Sequence, residues 1–292
     1  MKHLKTWVPS VLALTLPLAA AAHRGGDHFD QGFYFGGSAG ISNLTAEINQ
    51  SLVGTTFILN EGFFSSAFDT GYFDTSFHSD STRGMGQLQL GYALSWGWFF
   101  GALEVSVNGS QLNLDQDNVA TEYILGPSQP PIFDNFQALE TTITSDIDIA
   151  LNNFEPVADL KLGFTLPTKT YLYGRVGAAF NTIEVHDSVT FTQFFFDYSG
   201  NHKTIPQSFR TSESKDKVAL RFGVGIEHKF FDQVSVALDY VHTEYGSVSV
   251  SNFEDTIIFG TSERSNDFQF GVSDEVDLTR DVVTLGVNYY FW

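Results

Sequence analysis

From Gly32 onward the chain alternates apolar and polar residues with a period of two, in eight separate stretches. In the first, Phe33, Phe35, Ala39 and Ile41 share one parity and Tyr34, Ser38 and Ser42 the other. The second sets Leu88, Leu90, Tyr92 and Leu94 against Gln87, Gln89, Gly91 and Ala93; the third sets Phe99, Leu103, Val105 and Val107 against Ala102, Glu104, Ser106 and Asn108. The fourth opposes Phe154, Ala158, Leu160, Leu162 and Phe164 to Glu155, Asp159, Lys161 and Thr165, and the fifth opposes Leu172, Val176, Ala178 and Phe180 to Tyr173, Arg175, Gly177 and Asn181. Val218, Leu220, Phe222, Val224 and Ile226 stand against Ala219, Arg221, Gly223 and Glu227 in the sixth. Val234, Val236, Leu238 and Tyr240 stand against Ser235, Ala237 and Asp239 in the seventh. Val283, Leu285, Val287, Tyr289 and Phe291 stand against Thr284, Gly286, Asn288 and Tyr290 in the last. Successive side chains of a strand point to opposite faces, so each stretch predicts a strand with one apolar and one polar face. Each is near the roughly 9–11 residues that a tilted strand needs to cross a bilayer.

The connections have a rhythm. Ser95-Trp96-Gly97 joins the second and third strands, Pro167 to Thr170 the fourth and fifth, and His228 to Gln233 the sixth and seventh. Between these short turns lie polar segments at about 43–83, 110–150, 182–216 and 243–280. Short turns on one side and long loops on the other are the pattern of an outer-membrane barrel, with turns and both termini in the periplasm. The expected fold is therefore all-β: a closed antiparallel up-and-down transmembrane β-barrel of eight strands, with four long extracellular loops and three short periplasmic turns. The segment 110–150 has room for an additional strand pair.

Aromatic residues sharpen this reading. Phe33, Phe35, Trp96, Trp98, Phe99, Phe164, Tyr171, Tyr173, Phe230, Phe231 and Tyr289 to Trp292 all fall beside the inferred periplasmic ends. Amphipathic rings favour the headgroup zone, so they predict an interfacial girdle. A soluble β-sandwich also alternates, but it accounts for neither the girdle nor the turn rhythm.

The N-terminus supplies the route. Lys2 and Lys5 precede an uncharged, mostly apolar stretch from Trp7 to Ala22 that ends in Ala20-Ala21-Ala22. This is the form of a secretory signal cleaved after Ala22. The rival, an anchoring helix, is opposed by its shortness and by Pro9 and Pro17. The expected organisation is a signal peptide at 1–22 and a barrel domain at 23–292. Removing Lys2 and Lys5 makes the net charge of −19 two units more negative, which disfavours nucleic-acid binding. The absence of Cys agrees weakly with a barrel.

Three motifs resemble a known family. The run Val283 to Phe291 resembles the C-terminal signal of outer-membrane barrels, with Val287, Tyr289 and Phe291 as its apolar positions and Trp292 as an added residue. Ala237 to Gly246 resembles the penultimate strand, and Gly32 to Gly40 the first strand, of OmpA-like and opacity-type small barrels. The resemblance implies an eight-stranded barrel, without the peptidoglycan-binding domain of full OmpA proteins. It implies insertion by the barrel-insertion machinery, contact with outer-membrane lipid and lipopolysaccharide, and an interior salt-bridge network. Fold transfers better than function, because the family's members do many things.

The candidate interior residues are those charges that fall on the inward parity: Glu104, Asp159, Lys161, Arg175, Arg221, Glu227 and Asp239. An eight-stranded barrel is just wide enough for side chains to fill, and buried charges must pair. A largely plugged lumen is therefore expected. Catalytic, cofactor and metal sites are not expected. His186-Asp187-Ser188 and His78-Ser79-Asp80 carry suitable residue types for hydrolysis. However, the His-x-Ser-Asn motif of lipid A deacylases breaks at Val189. Asn113-x-Asp115-x-Asp117-Asn118 begins like a calcium loop but lacks its Gly and closing Glu, and reads as a solvated acidic turn. The outer segments are aromatic, with Phe57, Phe63, Phe64, Phe68, Phe73 and Phe77 in the first and Phe191 and Phe194 to Phe196 in the third. Packing between loops, or strands extended above the membrane, is the favoured reason; an apolar binding surface is the alternative. The leading role is a structural or surface-interaction barrel whose loops meet host or surface ligands. The alternatives are a narrow pore or hydrophobic-solute conduit, and an outer-leaflet lipid enzyme.

Overall fold

A computed structural model of the chain describes residues 29–60, 68–110, 113–125, 137–196, 202–261 and 264–291. Ten elements follow in order: β1 (Phe29–Asn60), β2 (Phe68–Trp96), β3 (Phe99–Gly109), β4 (Asn113–Leu125) and β5 (Gln137–Leu151), then β6 (Phe154–Leu166), β7 (Thr170–Phe196), β8 (His202–Lys229), β9 (Val234–Thr261) and β10 (Arg264–Phe291). All the pairings are antiparallel, and β1 pairs with both β2 and β10. Phe33 stands opposite Tyr92 on one side and Phe291 on the other, which closes the sheet.

The ring has eight strands, because four of the elements are two strands with a break. The β3–β6 ladder ends at Gly109↔Phe154, and the β4–β5 ladder resumes at Asn113↔Ala150. Among the described residues, the segment 110–150 thus lengthens two ring strands and adds no new one. The calcium-like run from Asn113 to Asn118 is strand rather than turn, with a register irregularity between Gln116 and Val119.

The segments expected as loops are mostly strand as well. β1 continues to Asn60, β7 to Phe196 and β9 to Thr261, each paired along its length to a neighbour. The alternation that predicted the first eight stretches does not stop at their ends; it inverts. On β1 the inward side chains are Tyr34 and Ser42, then Leu44, Ala46 and Ile48; the outward ones are Phe33, Phe35 and Ile41, then Asn43, Thr45 and Glu47. β7 turns over in the same way, from inward Arg175 and Asn181 to inward Ile183 and Val185. Inverted alternation scores as polar sequence in a search for lipid-facing strands, which is why it reads as loop.

The inversion divides the molecule in two. In the lower part the exposed face is an apolar belt that includes Leu88, Val105, Leu162, Val224 and Leu285, as lipid requires. In the upper part, inward residues among those described form one apolar cluster. It unites Leu44, Ala46, Ile48, Val248, Val276 and Leu278 with Leu114, Ile147, Ile149, Ile183 and Val185. Here the ring opens along two seams. The β2–β3 ladder ends at Gly86↔Gly109, and among the described residues no backbone pairing joins β2 to β4. The β8–β9 ladder ends at Leu220↔Glu244. Above the belt, β2, β1, β10 and β9 therefore form one sheet and β4, β5, β7 and β8 another, with the apolar cluster between them. Gly246 marks the change on β9. Its φ of 68° is a left-handed conformation that favours glycine. A register shift beside it moves the inward positions from Thr243 and Tyr245 to Val248 and Val250.

The expected girdle is partly redrawn. Phe33, Phe35, Trp96, Trp98, Phe164, Phe230, Phe231, Tyr289 and Phe291 are exposed, with Phe231 at 71%. Tyr171, Tyr173 and Tyr290 are buried in the lumen, because they share the inward parity of their strands with Arg175 and Asn288. Residues 1–28, which include the expected signal segment, and Trp292 lie outside the described residues.

Candidate functional site

The interior of the belt is built in layers. Nearest the periplasmic turns, Phe100 stacks on Tyr171 with ring centroids 4.5 Å apart, and Tyr34 meets Tyr290 at 5.1 Å; Ala93 and Ala102 leave the room for these rings. Gly91 also makes space, since a Cβ there would lie 2.3 Å from the Tyr34 ring. Two ammonium groups lie against the aromatic faces, Lys161 at 5.2 Å from the Tyr173 centroid and Lys229 at 4.7 Å from that of Tyr290.

Above the rings lies an ionic network. Glu104 accepts from Lys161 Nζ at 2.5 Å, from Arg175 Nη2 at 3.0 Å and from the Tyr34 hydroxyl at 2.6 Å. Arg175 also pairs with Asp159, and with Asp239 at 3.3 Å, while Tyr173 donates to Asp239 at 2.9 Å. Arg221 reaches Asp159 at 3.6 Å and Glu155 at 3.8 Å. Glu155 in turn accepts from Arg280 Nη1 at 2.9 Å, from Asn108 at 2.8 Å and from Tyr245. Arg280 donates through Nε to Ser42 at 2.7 Å. Four cations and four carboxylates thus interlock, all of them buried.

Six of the seven candidate interior residues share this network. Glu227 stands apart, in a second cluster where it accepts from Ser235, from Tyr290 at 2.5 Å and from Asn288 at 3.2 Å; Asn288 also accepts from Gln89 at 2.6 Å. Two participants were not among the candidates. Arg280 fell in a segment read as loop, although it shares the inward parity of Thr284 and Asn288. Glu155 lay on the inward parity of the fourth stretch but outside the chosen set. Following alternation through its inversion finds Arg280, and the parity of the fourth stretch alone places Glu155 inside.

The other candidate chemistry is dispersed. Asp187 points into the upper core while His186 and Ser188 lie on the outer face, because neighbouring strand residues point oppositely. His186 also sits six positions beyond Phe180, where the belt ends on β7, or about 20 Å of strand at 3.3 Å per residue. That is remote from the acyl chains a lipid enzyme would act on. His78 and Asp80 are exposed beside Glu47 and Thr45 of β1, and Ser79 turns inward. Among the described residues no group of three or more His, Cys, Asp or Glu side chains is placed to hold a metal ion. The side chains from Asp115 to Asn118 lie outside the described residues, as do those of Phe57, Phe68, Phe73, Phe191 and Phe194 to Phe196, and Phe63 and Phe64 altogether. Phe77 packs partly buried against the upper core. Val287, Tyr289 and Phe291 face outward from β10.

A family model described as "Outer membrane protein beta-barrel domain" matches residues 10–291. No curated protein matches. Among solved structures, Ail, the attachment invasion locus protein of Yersinia pestis, is 13% identical, with 87% of this chain and 99% of that one covered and a TM-score of 0.24. Neisserial surface protein A is 8% identical, with 84% and 99% covered and a TM-score of 0.27. The outer membrane protease OmpT from Escherichia coli is 7% identical, with 88% and 97% covered and a TM-score of 0.23. At such scores none of these bears on what the chain does.

Proposed function

The chain belongs to the outer membrane protein β-barrel family, and from that premise we propose that it is a surface-interaction barrel, adhesin- or opacity-like, with a plugged lumen. It is a bacterial outer-membrane protein, and its export by a signal cleaved after Ala22 is part of the proposal.

The observation that carries this reading is the inversion at the top of the belt. A pore gains nothing from long strands above the bilayer that close on an apolar core. A surface protein does: the core stiffens two sheets, so that their polar outer faces are held at fixed positions above the lipid. Loops carried by a rigid scaffold are where binding residues concentrate. The same filling supports closure, because rings, paired charges and apolar side chains succeed one another along the axis. The inward charges act as a structural network, and Val287, Tyr289 and Phe291 as the insertion signal.

Two measurements test the proposal. Bacteria displaying the whole chain should adhere to host cells or surfaces, and a variant with strands rejoined by short turns just above the belt should lose that adherence while still folding as a barrel. Equal adherence by both would overturn the role. In planar bilayers the purified barrel should give no stable conductance steps; a reproducible open pore would overturn the plugged lumen.

A further inference from the structure

A buried polar cluster interrupts the upper core between the two sheets. Asp187 projects inward from β7 and Asp274 from β10, so that the carboxyl groups belong to opposite sheets; Asp187 Oδ2 and both Asp274 oxygens are buried there without a hydrogen-bond partner among the described residues, and each carboxyl lies within the other's electrostatic reach. Asp274 is wholly buried and Asp187 nearly so. Ser145 of β5 donates to Asp187 Oδ1 at 3.0 Å, and Gln50 of β1 gives its amide nitrogen to Ser145 Oγ at 3.0 Å.

We infer that Asp187 and Asp274 share one proton across the interface and form a pH-sensitive latch that clamps the two extracellular sheets together. Two ionised carboxylates cannot occupy one apolar interior, since like charges at short range and desolvation both oppose it. A neutral acid facing a carboxylate makes a charge-assisted hydrogen bond instead.

The surroundings favour a proton over a cation as the bridging charge. No ion pair among the described residues includes either aspartate. The inward positions of β8 nearby are Thr211, Glu213, Lys215 and Lys217; the two lysines donate to the Ser249 and Ser247 carbonyls of β9, at 2.8 and 2.5 Å. β9 presents Val250 and β10 presents Val276, while Asp146 on β5 adds only repulsion toward Asp187. A calcium ion takes about 6–8 oxygen ligands. Here Gln50 offers nitrogen, and the Ser145 hydroxyl is already committed to Asp187.

The geometry gives the latch its leverage. Among the described residues neither seam is closed by backbone pairing above the belt, so the sheets are held by packing, by the Lys215 and Lys217 bonds to β9, by Gln50 on Ser145 and by this bridge. Burial and the facing carboxylate push Asp274 up to about 8. A raised folded-state value means that the folded protein holds the proton more tightly than the unfolded chain does. The linked stability is therefore greatest below about pH 4, the ordinary carboxylate range, where both carboxyls are neutral; the single shared proton holds the pair at intermediate pH, and the clamp is lost as pH rises through about 8.

The chain has no cysteine, so two introduced thiols can be labelled cleanly. Spin labels at Asn49→Cys on β1 and Ser212→Cys on β8 would sit on the outer faces of opposite sheets. In the whole barrel, reconstituted in liposomes, their distance distribution should be narrow at about pH 6 and shift outward and broaden at about pH 10. In the Asp274→Asn and Asp187→Asn backgrounds it should stay narrow at both, because an amide removes the charge and keeps a donor. A heat-modifiability gel on each sample reports whether the barrel has folded, and either background suffices if the other does not fold. The latch is overturned if the parent distances agree at both pH values, or if the Asn backgrounds retain the response. It is overturned equally if calcium or magnesium restores the narrow distribution at high pH, since the clamp would then be a cation.

Discussion

Along β1, Tyr34 and Ser42 face the same interior as Leu44, Ala46 and Ile48, on one unbroken strand of constant parity. The lower set is polar and the upper set apolar. What changes between them is the medium outside. Lipid forbids exposed polar groups, so the belt turns Phe, Leu and Val outward and keeps its polar groups inside, where they satisfy one another. Water reverses the preference, and the upper sheets fold like a soluble sandwich, with apolar side chains removed from solvent. The two halves share strands but are stabilised by different forces: the lower by paired charges and hydrogen bonds, the upper by apolar packing.

That contrast can be broken most forcefully in the lower half. Glu155→Ala should leave Arg280 and Arg221 short of a carboxylate in a closed lumen and cost about 3–5 kcal/mol of barrel stability, read by urea unfolding in liposomes. A loss near zero would mean that water reaches the network and that the lumen is open. In the upper half, Ile147→Ala should cost about 2–5 kcal/mol locally. Hydrogen exchange should quicken in β5, and in β1 above Ser42, with the belt amides unchanged. Joint loss of protection in both halves would show one cooperative unit rather than two. The smallest effect is expected at the boundary. Gly246→Ala must hold a φ of 68° and should cost about 1–2 kcal/mol, with faster exchange confined to β9 and β10 above that point.

The belt was legible because lipid imposes a simple code: apolar side chains on one parity, short turns, aromatic residues at the edge. Glu104, Asp159, Lys161, Arg175, Arg221 and Asp239 could be placed inside by counting in twos. Arg280 could not, because its segment carries Asp274, Asp277 and Asp281 and so reads as solvated loop. Tyr171 and Tyr173 misled in the opposite sense: their position beside a turn suggested the girdle, whereas their parity put them in the lumen.

The sequence by itself determined the eight crossing strands, their parity and the inward charges, since each follows from local periodicity and from the medium a strand must face. Only the tertiary structure decided that the alternation continues above the membrane, that the ring parts into two sheets there, and which carboxylate meets which cation. Those outcomes depend on contacts between residues distant in the chain, such as Glu155 with Arg280 or Asp187 with Asp274. No periodicity along a single strand records such meetings.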